Sequence, residues 1–204
     1  MNQIQNSFET IADGLADKGY AVIDNFVPMA EVQAILDLGL FNENDLKKAG
    51  IGRGNKQINE AIRGDFIQWI NKEQTPDSIK NYTDKLDALR LFLNQSLYLS
   101  LKDYEVHLAM YPAGSFYKRH LDQFKSDDHR KLSVILYLNK DWNIDQGGQL
   151  RMFLKDGSLD FLPIAGRLVC FRSEMIEHEV LPATRTRMSI TGWMLDQLAD
   201  LRHI

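Results

Sequence analysis

From Tyr104 onward the apolar residues stop recurring at helical spacing and begin to alternate, and this change of period restricts the fold more than any other feature. Eight short runs carry it: "YEVHLAMY", "FYKRHL", "LSVILYLN", "QLRMFL", "LDFLP", "RLVCF", "IEHEVLP" and "RMSITGWML". Alternation places every second side chain on one face of a strand, so each run buries one side or packs between two layers. Turn signals such as "PAGS", "DQGGQ", "KDGS" and "PIAG" separate several runs. Eight strands preceded by helices predict a mainly β fold with α (α+β), a jelly-roll-like double sheet buttressed by helices.

The first hundred residues supply the buttress. "TPDSIKNYTDKLDALRLFLNQSLYLS" predicts a long helix with Thr75 as N-cap, Pro76 at the first helical position and Asp77 in the first turn. Ile79, Tyr82, Leu86, Leu89, Leu93 and Leu97 form one apolar stripe on it. A shorter helix near residues 3 to 17, a strand at "YAVIDNF" and a helix after Pro28 complete this part. Gly50, Gly52 and Gly54 make the start of "AGIGRGNKQINEAIRGDFIQWI" pliable, and its last stretch reads as a strand. With no repeat, low-complexity tract or linker, residues 1–204 are expected to form one domain, with 1–100 as helical support and lid and 101–195 as the jelly-roll core.

Composition narrows the function classes. A net charge of -4 argues against a nucleic-acid groove, and no apolar run is long enough to span a bilayer. The opening "MNQIQNSFETIADG" lacks the basic and apolar regions of a signal peptide, so a cytoplasmic location is expected. The single Cys170, between Val169 and Phe171, reads as a buried strand thiol.

Within "YKRHLDQF", His120 and Asp122 stand two positions apart and, on a strand, project to the same side. His-x-Asp is a common accident and needs a third ligand. His129 lies in the charged loop "KSDDHRK" and His203 near the terminus, whereas His178 lies in a candidate strand that can cross to the pair. Two imidazoles and one carboxylate form a facial triad with open metal positions, the usual arrangement for non-haem Fe(II) that activates O2. Zinc uses the same donor types in hydrolytic sites and remains the chemical rival. Parity on the last strand places Arg187, Ser189, Thr191 and Trp193 on one face. An Arg directed into a small barrel is costly unless a carboxylate meets it, and its fork suits a dicarboxylate.

At "RGDFIQWI", "YPAGSFYKRHLD", "LYLNKDW", "GGQLRMF" and "HEVLPATRTRMSITGW", over most of residues 60–195, the chain resembles the Fe(II)- and 2-oxoglutarate-dependent oxygenases, and among them the prolyl 4-hydroxylase family of oxygen-sensing animal enzymes and their bacterial relatives. The resemblance implies a double-stranded β-helix (jelly-roll, cupin-like) that uses Fe(II), 2-oxoglutarate and O2, and admits ascorbate as a reductant. By position, His120, Asp122 and His178 are implied as metal ligands. Arg187 is implied to hold the distal carboxylate of 2-oxoglutarate, helped by Tyr137. Tyr111 is implied to border the pocket, Thr191 and Trp193 to line its floor and mouth, and Leu150 and Ile135 to form apolar walls, although both would be core residues in almost any β-fold.

In the resembled enzymes "RGDF" ends a mobile loop that folds over the bound peptide. The resemblance therefore implies residues 50–63 as a lid, Arg63 near the substrate, and an ion pair between Asp65 and Arg130. The implied reaction is C4 hydroxylation of a prolyl residue in a protein, with succinate and CO2 as co-products; for bacterial members a translation factor such as elongation factor Tu is a candidate substrate. A 2-oxoglutarate-dependent hydroxylase of a free amino acid or other small molecule, and a non-catalytic 2-oxoglutarate binder, stay open.

Overall fold

Each alternating run becomes a strand. The structure, a computed structural model, describes residues 3–42, 45–50, 61–123 and 128–199. Helix α1 (Gln3–Asp17), strand β1 (Tyr20–Ile23), helix α2 (Met29–Leu36), strands β2 (Lys47–Lys48) and β3 (Phe66–Trp69) and helix α3 (Asp77–Leu97) come first. Then follow β4 (Asp103–Tyr111), β5 (Tyr117–His120), β6 (Arg130–Tyr137), β7 (Leu150–Leu154), β8 (Gly157–Phe161), β9 (Leu168–Arg172), β10 (Glu177–Val180) and β11 (Arg187–Leu195). A larger sheet has the order β1-β9-β6-β11-β4-β3-β2, and a smaller one β5-β10-β7-β8. This is the double-stranded β-helix expected, with the two sheets facing each other.

The period of two explains how one sheet serves two layers. On β4, Tyr104, Val106, Leu108 and Met110 join Leu132, Val134 and Leu136 of β6 and Ile190 and Met194 of β11 in a core packed against the helices. Ile79, Tyr82, Leu86, Leu89 and Leu93 of α3 enter this core at 0–1% exposure. At about 1.5–3 kcal/mol per fully buried side chain, this stripe secures the helix to the sheet. The opposite parity, including Ala109, Tyr111, Ile135, Tyr137, Val169 and Phe171, forms a second core with Leu150 and Met152 of the smaller sheet. Polar groups of chemical interest lie on this inner face.

One boundary differs from expectation. Pro76 has φ -57° and ψ 148°, so it stands at the cap position with no side-chain cap bond, and α3 begins at Asp77. Thr75 is extended (φ -81°, ψ 130°) and ends a short 3-10 turn. With its ψ extended, Pro76 takes the N-cap place expected of Thr75, and its carbonyl accepts the first helical bond, from the Lys80 N–H at 2.9 Å. None of the helices among the described residues is long and apolar enough to cross a membrane.

Candidate metal centre and cosubstrate pocket

The smaller sheet builds the metal cluster. β10 pairs with β5 so that His178 lies directly opposite His120. Asp122 follows two residues after β5 ends, in a bend rather than on a strand. Its carboxylate nevertheless comes back to the pair: Oδ1 is 3.5 Å from His120 Nε2, and Oδ2 is 3.6 Å from His178 Nε2. Among the described residues, these three side chains form a group whose ligand atoms converge to within 4.8 Å.

The ring orientations suit a cation. His120 Nδ1 lies 2.7 Å from the Lys118 carbonyl, and His178 Nδ1 lies 3.1 Å from the Ile176 carbonyl. A carbonyl can only accept, so each Nδ1 carries the hydrogen and each Nε2 keeps a free lone pair toward Asp122. Tyr117 stacks on His120 with centroids 3.6 Å apart, while Phe171 meets His178 edge-on at 4.7 Å. Burial lowers the His178 pKa to about 4, against the opposing charge of Asp122, which keeps the imidazole neutral at neutral pH. Burial pushes the Asp122 carboxyl up, but the neighbouring His178 and His120 and the Ser133 hydroxyl together hold it far below the usual carboxylate range. A neutral His178 and an ionised Asp122 are the protonation states that a divalent metal requires of these two ligands.

Arg187 opens the inner row of β11. It is 2% exposed, and its Nε donates to the Gly148 carbonyl at 3.0 Å. Gly148 has φ +71°, and a Cβ there would lie 3.0 Å from both Ala183 and Trp142 and 3.5 Å from Arg187 Cδ, so glycine lets the backbone approach the guanidinium. The guanidinium sits between the rings of Tyr111, at 5.1 Å, and Tyr137, at 4.9 Å. Arg187 Nη2 and the Tyr137 hydroxyl are buried without hydrogen-bond partners. A buried cation and a hydroxyl with spare donors on one apolar face fit a carboxylate ligand.

Leu150 and Ile135 are buried in the inter-sheet core with Tyr111 and Tyr137. Thr191 lies opposite Ile135 and contacts the Ser189 hydroxyl at 3.0 Å. Trp193 ends the row and packs with Trp69, Leu195 and Ala199 in a separate cluster. Residues 51–60 of the expected lid lie outside the described residues.

The expected pairing of Asp65 with Arg130 is corrected. Asp65 accepts a two-pronged contact from Arg63, at 2.7 Å from Nε and 2.6 Å from Nη2. Arg130 instead donates to Glu105 at 3.1 and 2.9 Å and lies 3.4 Å above the Trp193 ring. Arg63 is two residues from Asp65, so little chain entropy is lost in forming the fork, while Glu105 meets Arg130 from the inner face of β4. Arg63 also lies 4.4 Å over Tyr117, which places it next to the ring that supports His120.

Sequence reading did not select Tyr117, Gly148, Ser133, Ser173 or His107 as site residues. Ser133 shares the parity of Ile135 and Tyr137, the signal that could have found it. His107 shares that of Tyr111. It is 3% exposed, its Nδ1 has no partner, and it lies 4.9 Å from Trp69 and 5.5 Å from Trp193. Burial drives its pKa from 6.5 down to about 3, with Asp65 opposing and Arg63 and Arg130 reinforcing the shift. Between those values the unfolded chain binds a proton that the folded chain refuses, so stability falls as pH falls through this window. The expected contribution is about 1.4 kcal/mol per pH unit. Urea unfolding of wild type and His107→Leu between pH 7 and 4 is expected to show a shallower slope in the variant; equal slopes would refute the assignment.

The sequence model of the 2OG-Fe(II) oxygenase superfamily matches residues 106–195. Together with the relatives below, this match establishes that the chain belongs to that superfamily, whose members use Fe(II), 2-oxoglutarate and O2. The fold resembles a prolyl-4-hydroxylase of Pseudomonas putida at a TM-score of 0.85 and 43% identity, covering 94% of this chain and 100% of that one. A prolyl hydroxylase of Trichoplax adhaerens, solved with a peptide fragment of the hypoxia inducible factor oxygen degradation domain, has a TM-score of 0.86 and 29% identity, covering 95% and 91%. Human Egl nine homolog 1 is 33% identical over 206 residues, which are 93% of this chain; the chain spans 47% of that protein.

Proposed function

We propose that the protein hydroxylates a prolyl residue, at C4, in a protein substrate and converts 2-oxoglutarate to succinate and CO2. The observation that carries this reading is the His120, Asp122, His178 cluster on the smaller sheet, across the inter-sheet core from Arg187 on the larger one, whose buried guanidinium has no carboxylate partner among the described residues. Relatives named as prolyl hydroxylases, one of them holding a peptide, support the choice of substrate class.

When bound, Fe(II) with 2-oxoglutarate and O2 supplies the oxidising power to place oxygen in an unactivated C–H bond. The chain's own residues bind, orient and exclude. His120, Asp122 and His178 would hold the metal. Arg187 and the Tyr137 hydroxyl take the distal carboxylate of 2-oxoglutarate, and Tyr111 borders its path. Leu150 and Ile135 keep water from the chamber, which strengthens each polar contact inside it. Thr191 lies midway along the row, Trp193 stands toward the mouth, and Arg63 with Asp65 forms the fixed edge against which the substrate segment lies.

The test is mass spectrometry of a cell lysate incubated with the protein, Fe(II), 2-oxoglutarate and labelled O2, with Asp122→Ala as the blank. One labelled oxygen on a prolyl residue, absent from the blank, is the expected result and names the substrate, a translation factor such as elongation factor Tu being the first protein to inspect. Label on no peptide, or only on other residue types, would sink the prolyl assignment and favour a small-molecule hydroxylase or a silent 2-oxoglutarate binder.

A further inference from the structure

We infer that Ser133 and Ser173 are positioning residues that determine which oxygen of Asp122 is offered to the metal. Asp122 lies beyond the end of β5, so no strand pairing of its own fixes its side chain. It is held instead from the larger sheet. Ser133 Oγ, on the inner face of β6, donates to Asp122 Oδ2 at 2.6 Å. Ser133 Oγ also lies 2.9 Å from Ser173 Oγ. The ionised carboxylate has no hydrogen to give, so the one hydroxyl hydrogen of Ser133 is committed to Asp122. Ser173 must then donate to Ser133.

The result is a two-hydroxyl chain pointing at one carboxylate oxygen, with both serines at 0% exposure. Its far end is anchored in the backbone: the Ser173 N–H donates to the Lys131 carbonyl at 3.1 Å, and the Ser173 carbonyl accepts from the Gln123 N–H at 3.4 Å. The residue after Asp122 is therefore tied to the same serine that completes the chain.

With Oδ2 engaged by Ser133, Oδ1 is the freer donor, and it is the oxygen nearer to His120 Nε2. Ligation through one oxygen keeps the protein's contribution at three donor atoms. Ligation through both would occupy a further position and remove one of those on which a bidentate cosubstrate and a small third ligand depend. The serines thereby protect the openness of the site, a role that rests on the reading of the triad as a divalent-metal centre.

Cobalt(II) titration of the purified full chain tests this without turnover, because the visible absorption of bound Co(II) reports coordination number while the titration yields affinity. Ser133→Ala is expected to bind Co(II) about 10–100-fold more weakly, the usual cost of losing a group that orients a ligand. Its absorption is expected to shift with the change in Asp122 ligation. Ser133→Thr, which keeps a hydroxyl, is expected to restore both, a rescue that simple loss of packing does not predict. Ser173→Ala leaves the Ser133 bond in place and is expected to weaken binding by a smaller factor, which keeps the test decisive should Ser133→Ala fail to fold. Wild-type affinity and absorption in both alanine variants would overturn the inference and leave the metal site standing. Failure of the wild-type chain to bind Co(II) would remove the metal reading itself, and the inference with it.

Discussion

Asp122→Ala is expected to abolish tight divalent-metal binding and to lower succinate formation from 2-oxoglutarate by on the order of 10³-fold or more, since a bound metal is worth several kcal/mol of barrier lowering and each 1.4 kcal/mol is tenfold. Of the three side chains that converge here, Asp122 is the one carboxylate, and His178 is kept neutral by burial. Without that carboxylate, two imidazoles remain, and the cation loses the anionic partner that offsets its dehydration. The fold is expected to survive, because Asp122 lies in a bend outside the sheets and the variant leaves the Ser133 hydroxyl without its acceptor at a cost of about 1–3 kcal/mol. Mn(II) binding followed by electron paramagnetic resonance, alongside a melting curve, separates the two effects. Retained Mn(II) affinity would show that Asp122 is not a ligand.

The second large effect is of opposite character. Arg187→Met is expected to raise KM for 2-oxoglutarate about 100-fold, the loss of roughly two hydrogen bonds to a charged group. The same change is expected to leave the melting temperature of the ligand-free protein unchanged or higher. Arg187 is 2% exposed, its one described hydrogen bond is to the Gly148 carbonyl, and one terminal nitrogen is unsatisfied. A buried charge in that condition costs folding energy, and an apolar side chain of similar length removes the cost. A drop of several degrees in melting temperature together with an unchanged KM would reverse the interpretation and make Arg187 a structural residue.

The two predictions separate what local sequence encodes from what assembly adds. Strand positions were legible because a period of two is a local signal: "RMSITGWML" is β11 residue for residue, and "YEVHLAMY" is β4 but for Asp103. The same parity placed Arg187 on the inner face, where its cost made it visible. α3 was legible from its stripe, and its start shifted by one residue because Pro76, with an extended ψ, stands at the cap rather than inside the helix.

Partner choice was less legible. Asp65 was expected to meet Arg130, yet each has a nearer partner, Arg63 and Glu105, and nothing in the spacing of four charged residues ranks their distances. Ser133 and Ser173, forty positions apart in the chain by their own numbering, meet because β6 and β9 are neighbours. Single serines in apolar runs carry no sign of that meeting.

The sequence by itself determined the layers, the faces and the identity of the chemical groups, because side-chain alternation and residue chemistry are properties of short segments. Only the tertiary structure decided which groups touch. The register of β10 on β5 sets His178 opposite His120, and the fold of the larger sheet brings a hydroxyl to Asp122. A one-residue slip in that register would turn His178 to the other face, and the energy that prevents it comes from packing of the inner core, to which Val180 on the same strand and Phe171 beside the histidine belong.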